Sequence, residues 1–458
     1  MTQTRPLKTN LFNRNADLLH GPIFKNLLLF MLPILVSNLF QQLYNTVDTM
    51  IVGNVLGDTA LAAIGSCGSI YELLVGFGIG IGNGLAIVAA RSYGAQDEDL
   101  LKRTVVGSVV IGLIASLVIT TAGFFGLHAL LQLLDTPAEI LEDAYSYIIV
   151  IDLGVVVMFM YNLCAGLLRA IGNSVMPLVF LLISSALNVG LDLWFIAGVG
   201  MGVRGAAVAT VIGQAVGAGL GLFFHLKRNR EVPLGLKFFR PNGRIIGEIY
   251  EIGFPSIIMM CIGSLTNYIM NLLLVSFTKT AVAVYGAYFK LQSFFFLPVF
   301  GINNGLIPII GYNYGAGKVD RIHRTIKYGV LFAAVFMLTG LALFELAPGL
   351  LLSAFNPSAE MLDIGTHALR RIAVHFPIAA FCIVAGSACQ ALNKSMFSLI
   401  TSCMRQIFAL IPAAYLLSLT GDVNNIWWCF LIAEIVSFVF SFFFLRKAMR
   451  DADRRLLA

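Results

Sequence analysis

The sequence is short of charge. Only 12% of its 458 residues are Asp, Glu, Lys or Arg, where a water-soluble domain carries about 25%. With 58% hydrophobic residues it cannot clothe a globule in polar groups, which excludes a soluble enzyme or binding module. A cleavable-leader pattern is also missing, so none is expected: the opening stretch is polar, with Arg5, Lys8 and Arg14, and has no short apolar core before a small-residue cleavage site. The first hydrophobic segment is therefore expected to remain as an anchor. The seven cysteines (Cys67, Cys164, Cys261, Cys382, Cys389, Cys403, Cys429) form no C-x-x-C pair and lie inside apolar segments. Neither disulfides nor a zinc site is expected, and they read as packing residues. No metal centre, cofactor or nucleic-acid partner is expected.

What the sequence has is apolar runs. A window of about 20 residues, the length that crosses a bilayer, finds twelve, at 26–50, 59–88, 103–128, 140–162, 174–196, 203–225, 247–275, 281–310, 325–347, 363–388, 395–418 and 425–445. The expected fold is an all-α integral membrane protein. Lys and Arg collect in alternate loops: Arg5, Lys8, Arg14 and Lys25 before the first span, Arg91, Lys102 and Arg103 after the second, Lys227 to Arg244 after the sixth, Lys318 to Lys327 after the eighth, and Arg446 to Arg455 at the end. The opposite loops hold little beyond Arg204 and Lys279. By the positive-inside rule both termini are cytoplasmic, in a multi-pass protein of the plasma (inner) membrane.

An internal repeat is legible. "GIGNGLAIVAARSYGA" (Gly80–Ala95) and "GINNGLIPIIGYNYGA" (Gly301–Ala316) share eight of sixteen positions at an offset of 221. The same offset pairs Arg103-Thr104 with Arg324-Thr325 and Ala170 with Ala391; offset 222 pairs Pro33 with Pro255 and Asn45 with Asn267. Six spans per copy is an even number, so the copies share orientation. Two six-helix lobes, 1–225 and 247–458, should be related by a pseudo-two-fold axis along the membrane normal, with a basic cytoplasmic linker at 226–246 and a site between them.

Ionisable groups inside a bilayer are costly and mark function by default. From Leu27 to Val52 the one charged residue is Asp48, about 35 Å along its helix from Lys25 at ~1.5 Å per residue. Asn38, Gln41 or Gln42, and Asn45 precede it at three- and four-residue steps, one polar stripe that must face protein or water. In the fifth span Asn188 and Asp192 share a face, with Asp192 about 27 Å from Ser174. Tyr147 and Thr210 reach a similar depth in the fourth and sixth spans. Taken singly, each is as readily a satisfied structural group; together, two acids at one depth have no evident structural partner. Glu72 and Asp152 fall nearer the midplane and could line a cavity or form ion pairs. The second copy does not repeat the set: Asp192 falls opposite Ala413, Asn188 opposite Ala409 and Thr210 opposite Leu431. It carries Lys290, Arg370, Arg371 and Arg405, with Glu434 as its clear buried acid and expected ion-pair partner.

Several stretches carry a family resemblance over essentially the whole chain. "PILVSNLFQQLYNTVDTMIVGNVLGDTALAAIG" (Pro33–Gly65), "GNGLAIVAARSYGA" with Asn83, "GLLRAIGNS" (Gly166–Ser174), "NVGLD" (Asn188–Asp192) and "GAAVAT" (Gly205–Thr210) resemble the multidrug and toxic compound extrusion (MATE) transporters, in their bacterial and archaeal branch with a cation site in the first lobe. The resemblance implies a V of two lobes that opens alternately to either face. It implies export of amphipathic, often cationic compounds in exchange for H+ or Na+. It assigns the cation site to Asp48, Asp192, Asn188, Tyr147 and Thr210, with Na+ as the alternative to H+, and helix bending to Pro33. The family's other pattern uses acids in the seventh and tenth spans; here Glu251 and Asp363 lie near helix ends, so a second such site is not expected.

On this reading Asp48 and Asp192 titrate as a unit. Cargo and ion must favour opposite states, because a ligand without differential affinity drives nothing. The cargo cavity is expected to be lined by Phe and Met, and the chain to work as a monomer among membrane lipids. The rival is a lipid-linked-precursor flippase of the same superfamily, which would want a strongly basic cavity. A polyprenyl transferase would need paired D-x-x-x-D motifs, which are absent.

Overall fold

The computed structural model describes residues 18, 21–134, 136–227, 243–355 and 357–457. Among these the chain is helical throughout, with no strand. The basic residues Arg5, Lys8, Arg14, Arg228, Arg230, Lys237 and Arg240, and most of the linker at 226–246, lie outside the described residues.

Among the described residues ten helices are long and apolar enough to cross a bilayer, and two bent pairs pass together, giving twelve spans when each pair is taken as one, in the order the hydropathy indicates. They are Ile23–Leu56, Gly68–Gly94, Glu98–Leu133, the pair Ala138–Leu153 and Val155–Ala170, Val175–Gly198, Val203–Lys227, Gly247–Val275, Lys279–Gly315, Val319–Leu346, the pair Ala359–Ala373 and Phe376–Ala391, Ser395–Ser418, and Val423–Leu456. Two features depart from the sequence reading. The second span is preceded by a separate short helix, Asp58–Ser66, where a single helix from 59 was expected. The fourth and tenth spans are bent, by 46° and 49°. Their breaks, at Gly154 and His375, are 221 residues apart. A bend changes no residue's hydropathy, so a window average cannot see it. At Gly154 the sixth span comes close: a Cβ there would run into Val211.

The repeat is written in the backbone as well as in the residues. Left-handed φ values recur at offset 221, at Gln96 (58°) and Gly317 (69°), Gly172 (88°) and Asn393 (62°), and Gly200 (75°) and Gly421 (76°). Each lobe packs its own apolar core. Outside these cores, large side chains such as Leu117, Phe125, Leu350 and Phe443 stay exposed. In water such a surface would aggregate; in a bilayer it is the solvent-facing one.

The second and eighth spans, partners in the repeat, are the most enclosed: 78% and 61% of their apolar windows are buried, against 22–44% for the other unbroken spans. They form the joint between lobes. At their basic ends the contact is backbone to backbone: a Cβ on Gly94 would strike the Tyr312 carbonyl, and one on Gly315 the Arg91 carbonyl. Tyr93 and Tyr312 meet edge to face at 5.2 Å, and Arg91 Nη2 lies 3.6 Å from Glu248 Oε2. Arg321 donates to the Leu18 and Gly21 carbonyls, fastening the start of the described chain to the loop after the eighth span. Leu27, Phe30, Met31 and Ile34 of the first span are buried in the second lobe's core, while Val52, near its far end, sits in the first lobe's. The lobes thus close at the basic end, and cavities open between them toward the other.

Candidate cation-coupling site and central cavity

The first span continues unbroken through Pro33. Proline removes one backbone donor, and Ser37 Oγ donates to the Pro33 carbonyl at 2.8 Å. Fifteen residues on, Asp48 meets the fifth span at Asp192, and the two carboxyl groups lie within hydrogen-bond reach of each other. Asp192 is the last residue before a π-helical turn, Leu193–Gly198, a widened segment often found at functional sites. Asp192 is fully buried. Asn188, one turn earlier, donates to Asp192 Oδ2 at 3.2 Å and accepts from the Thr210 N–H at 3.1 Å when its amide nitrogen faces the acid. In the other orientation Nδ2 is 3.4 Å from Thr210 Oγ1. Tyr147 is buried in the same neighbourhood, within electrostatic reach of Asp48. The five residues that depth counting grouped therefore converge.

Three tyrosines that the sequence reading passed over join them. Tyr44 and Tyr71 stand close to Asp48, Tyr44 also to Asp192, and Tyr161 beside Tyr44. Tyr44 was legible, since it falls four residues before Asp48 on the polar face. Tyr71 and Tyr161 come from other helices and left no local signal.

The arrangement constrains charge. One oxygen of each acid, Asp48 Oδ1 and Asp192 Oδ1, is buried without a hydrogen-bond partner. Two unit charges about 4 Å apart repel by about 4 kcal/mol at an effective dielectric near 20. A single proton between the carboxyl groups, or a small cation held by them, removes that repulsion and occupies the unpartnered oxygens. The tyrosine hydroxyls lie near enough to offer further oxygens to such a cation, and Asn188 would offer its Oδ1 only in the orientation that turns Nδ2 toward Thr210.

Beside the acids lies a cavity of ≈ 260 Å³ lined by Asn38, Gln41, Asn45, Tyr44, Tyr161 and Arg169, among others. Tyr44 also lines the small cleft with Asn188 and Thr210, so it stands between cavity and acids. The expected polar stripe divides here. Gln42 turns away and, with the rim residue Asn45, lines a second, largely apolar cleft of ≈ 810 Å³ between the first and eighth spans. Lys290 stands in that cleft and has no ion pair among the described residues. A third cavity, ≈ 770 Å³, runs between the lobes and into the second. Asn83 and Asn304, 221 residues apart, line both it and the first-lobe cavity and mark the joint.

Some expectations change and others hold. The large cavity is not a Phe and Met surface: Phe289, Phe296, Phe300, Met259 and Met260 share it with Glu72, Gln292, Gln406 and Arg405. Glu72 does line it and accepts from Ser264 Oγ of the other lobe. Asp152 lines none of the described cavities and forms no ion pair among the described residues; its carboxylate is packed against Gly123 of the third span. In the second lobe Glu434 has the basic neighbour expected of it. Arg405 pairs with Glu434 at 3.6 Å, while Arg370 and Arg371 donate to the backbone carbonyls of Glu345 and Asn424 near helix ends.

Known proteins place this architecture. The multidrug export protein MepA of Staphylococcus saprophyticus is 25% identical over 417 residues, covering 90% of this chain and 91% of its own. MepA of Staphylococcus aureus is 25% identical over 419 residues, with the same coverage. A crystal structure of MATE in the bent conformation superposes with a TM-score of 0.91 at 23% identity, covering 97% of this chain and all of that one. A MOP superfamily transporter from Pyrococcus furiosus Vc1, described as having a binding pocket of reverse polarity, superposes with a TM-score of 0.90 at 23% identity, over 96% and 99% of the two chains. The MatE family model matches twice, over residues 33–194 and 255–416, two blocks displaced by 222 residues, the offset that pairs Pro33 with Pro255 and one more than that of the longer repeat. The chain belongs to the MatE family.

Proposed function

We propose that the protein is a secondary antiporter that exports amphipathic, often cationic compounds in exchange for H+ or Na+ by alternating access. The observation that carries this is the contact of Asp48 with Asp192 across the first and fifth spans, beside a polar cavity and without a basic partner among the described residues. Relatives named as multidrug export proteins support the cargo class. The division into lobes 1–225 and 247–458, joined by 226–246, and the cytoplasmic placement of the basic ends belong to the same proposal. With the basic ends inside, the cleft faces outward.

In that state a proton or Na+ enters from outside and neutralises the acid pair. Asn188, Thr210 and Tyr147 position the acids, and Tyr44 stands between them and the cavity. The first span, half in each lobe's core, then repacks about Pro33, and the cavity lined by Asn38, Gln41 and Asn45 loses its attraction for a cationic cargo. Efflux of an amphipathic cationic dye from proteoliposomes, with a pH gradient and a Na+ gradient imposed separately, tests the scheme. One gradient should drive efflux in wild-type protein and neither in Asp48→Asn/Asp192→Asn; undiminished efflux by the double variant overturns it.

One observation favours a second reading. The uncompensated Lys290 in an apolar cleft suits a lipid-linked phosphate, as a flippase would need. Saturable binding of undecaprenyl diphosphate, lost in Lys290→Met with dye efflux absent, would move the assignment there.

A further inference from the structure

Arg405 and Glu434 face each other across the eleventh and twelfth spans, at the wall of the large cavity. Their contact is incomplete. Arg405 Nη1 to Glu434 Oε2 is 3.6 Å, longer than a hydrogen bond, and Glu434 Oε1 is buried with no hydrogen-bond partner. Glu434's side chain is only 4% exposed, whereas Arg405's is 32% exposed. The thiol of Cys382 also faces the carboxylate, and thiols are weak donors. A buried carboxylate lacking a strong donor is expensive, and here the missing donor can arrive through the cavity. Arg405 sits in a π-helical turn, Met404–Leu410, in the span that repeats the one holding Asp192. At offset 221, Arg405 and Glu434 correspond to Ser184 and Gly213, a turn from Asn188 and Thr210. The seam between the fifth and sixth spans that holds Asn188 and Thr210 in the first lobe holds a charge pair at its counterpart in the second.

We infer that Arg405 and Glu434 form a cargo subsite for a zwitterionic aromatic amphiphile, its ammonium group on Glu434 and its carboxylate on Arg405. This rests on the exporter reading and narrows it. A simple cation drawn to Glu434 meets Arg405 beside it, and a simple anion meets the reverse; a molecule bearing both charges satisfies both groups. Tyr285, Phe289, Phe296 and Phe430 present aromatic walls to a flat ring, and ≈ 770 Å³ suits one drug-sized molecule.

The test uses purified full-length protein, without any gradient, and three fluorescent probes: Nε-dansyl-lysine (a zwitterion), its methyl ester (a cation) and its Nα-acetyl derivative (an anion). Wild-type protein should bind the zwitterion at least tenfold more tightly than either derivative. In Arg405→Gln the ester should draw level with the zwitterion; in Glu434→Gln the acetyl derivative should. Arg405→Lys keeps both charges and should keep the preference. If Glu434→Gln fails to fold, the neutral double variant Arg405→Gln/Glu434→Gln, which leaves no lone charge, should bind all three alike. Equal binding of the three probes by wild type, or an equal loss for all three in the single variants, overturns the proposal and leaves the pair as a tie between helices. Protein carrying Asp48→Asn/Asp192→Asn should retain the preference, so failure of coupled efflux and failure of this subsite are read separately.

Discussion

Ser264 Oγ donates to the Glu72 carboxylate at 2.5 Å and joins the seventh span of one lobe to the second span of the other, beside a gap of only ≈ 140 Å³. The repeat maps this pair onto Ser293 (offset 221) and Gln42 (offset 222), which line the ≈ 810 Å³ cleft on the opposite side. One seam between the lobes is tied and its counterpart is open. Ser264→Ala should release the tie, shifting the open-to-tied ratio about fivefold for the loss of about 1 kcal/mol. Cys261, exposed in the tied gap, provides the readout. Its rate of maleimide labelling should rise in the variant, and an unchanged rate would mean the contact holds nothing closed.

The acid pair sets a pH dependence whose sign is fixed. Protonation removes negative charge from the first-lobe site, so wild-type affinity for a cationic dye should fall as pH is lowered. Asparagine is an isosteric stand-in for the neutral acid. Asp48→Asn at pH 8 should therefore bind dye as weakly as wild type does under acid, with little further change on acidification. Equilibrium dye binding across pH checks this directly.

Asn45 and Asp48 lie on the same side of the first span, but only one can lose a charge. Asn45→Ala should reduce coupled efflux by about fivefold at most, the worth of about one neutral hydrogen bond. Asp48→Asn should abolish coupling. Equal losses would assign coupling to the amides instead of the acid.

Gly94 and Gly315 let the second and eighth spans touch at their backbones. Gly94→Ala or Gly315→Ala puts a methyl group where a carbonyl now lies, and overpacking of this kind costs about 1–3 kcal/mol. The lobes should separate at the basic end. A cysteine replacing the buried Asn313 should then become reactive toward a thiol reagent, and thermal melting in detergent should fall by several degrees.

Much of the first-lobe site was legible because depth along a helix is a local count. Asp48, Asp192, Asn188, Thr210 and Tyr147 each follow from a number of residues times the helix rise. Depth says nothing about which way a side chain points around its helix. Gln41 and Gln42 therefore shared one stripe on paper yet face different cavities, and Asp152, at a cavity's depth, packs against Gly123. Tyr71 and Tyr161 belong to helices brought in by packing, so no spacing in the chain announced them.

The sequence by itself determined the twelve spans, the repeat and its offset, and the unequal charge of the two copies, because hydropathy, identity and charge are carried residue by residue. Only the tertiary structure decided that the fourth and tenth spans bend, that the lobes close at their basic end, that Arg405 meets Glu434 without fully satisfying it, and that one seam between the lobes is tied while the other gapes. Those are properties of how helices turn and pack against each other, and the azimuth of a side chain is fixed only once its neighbours are in place.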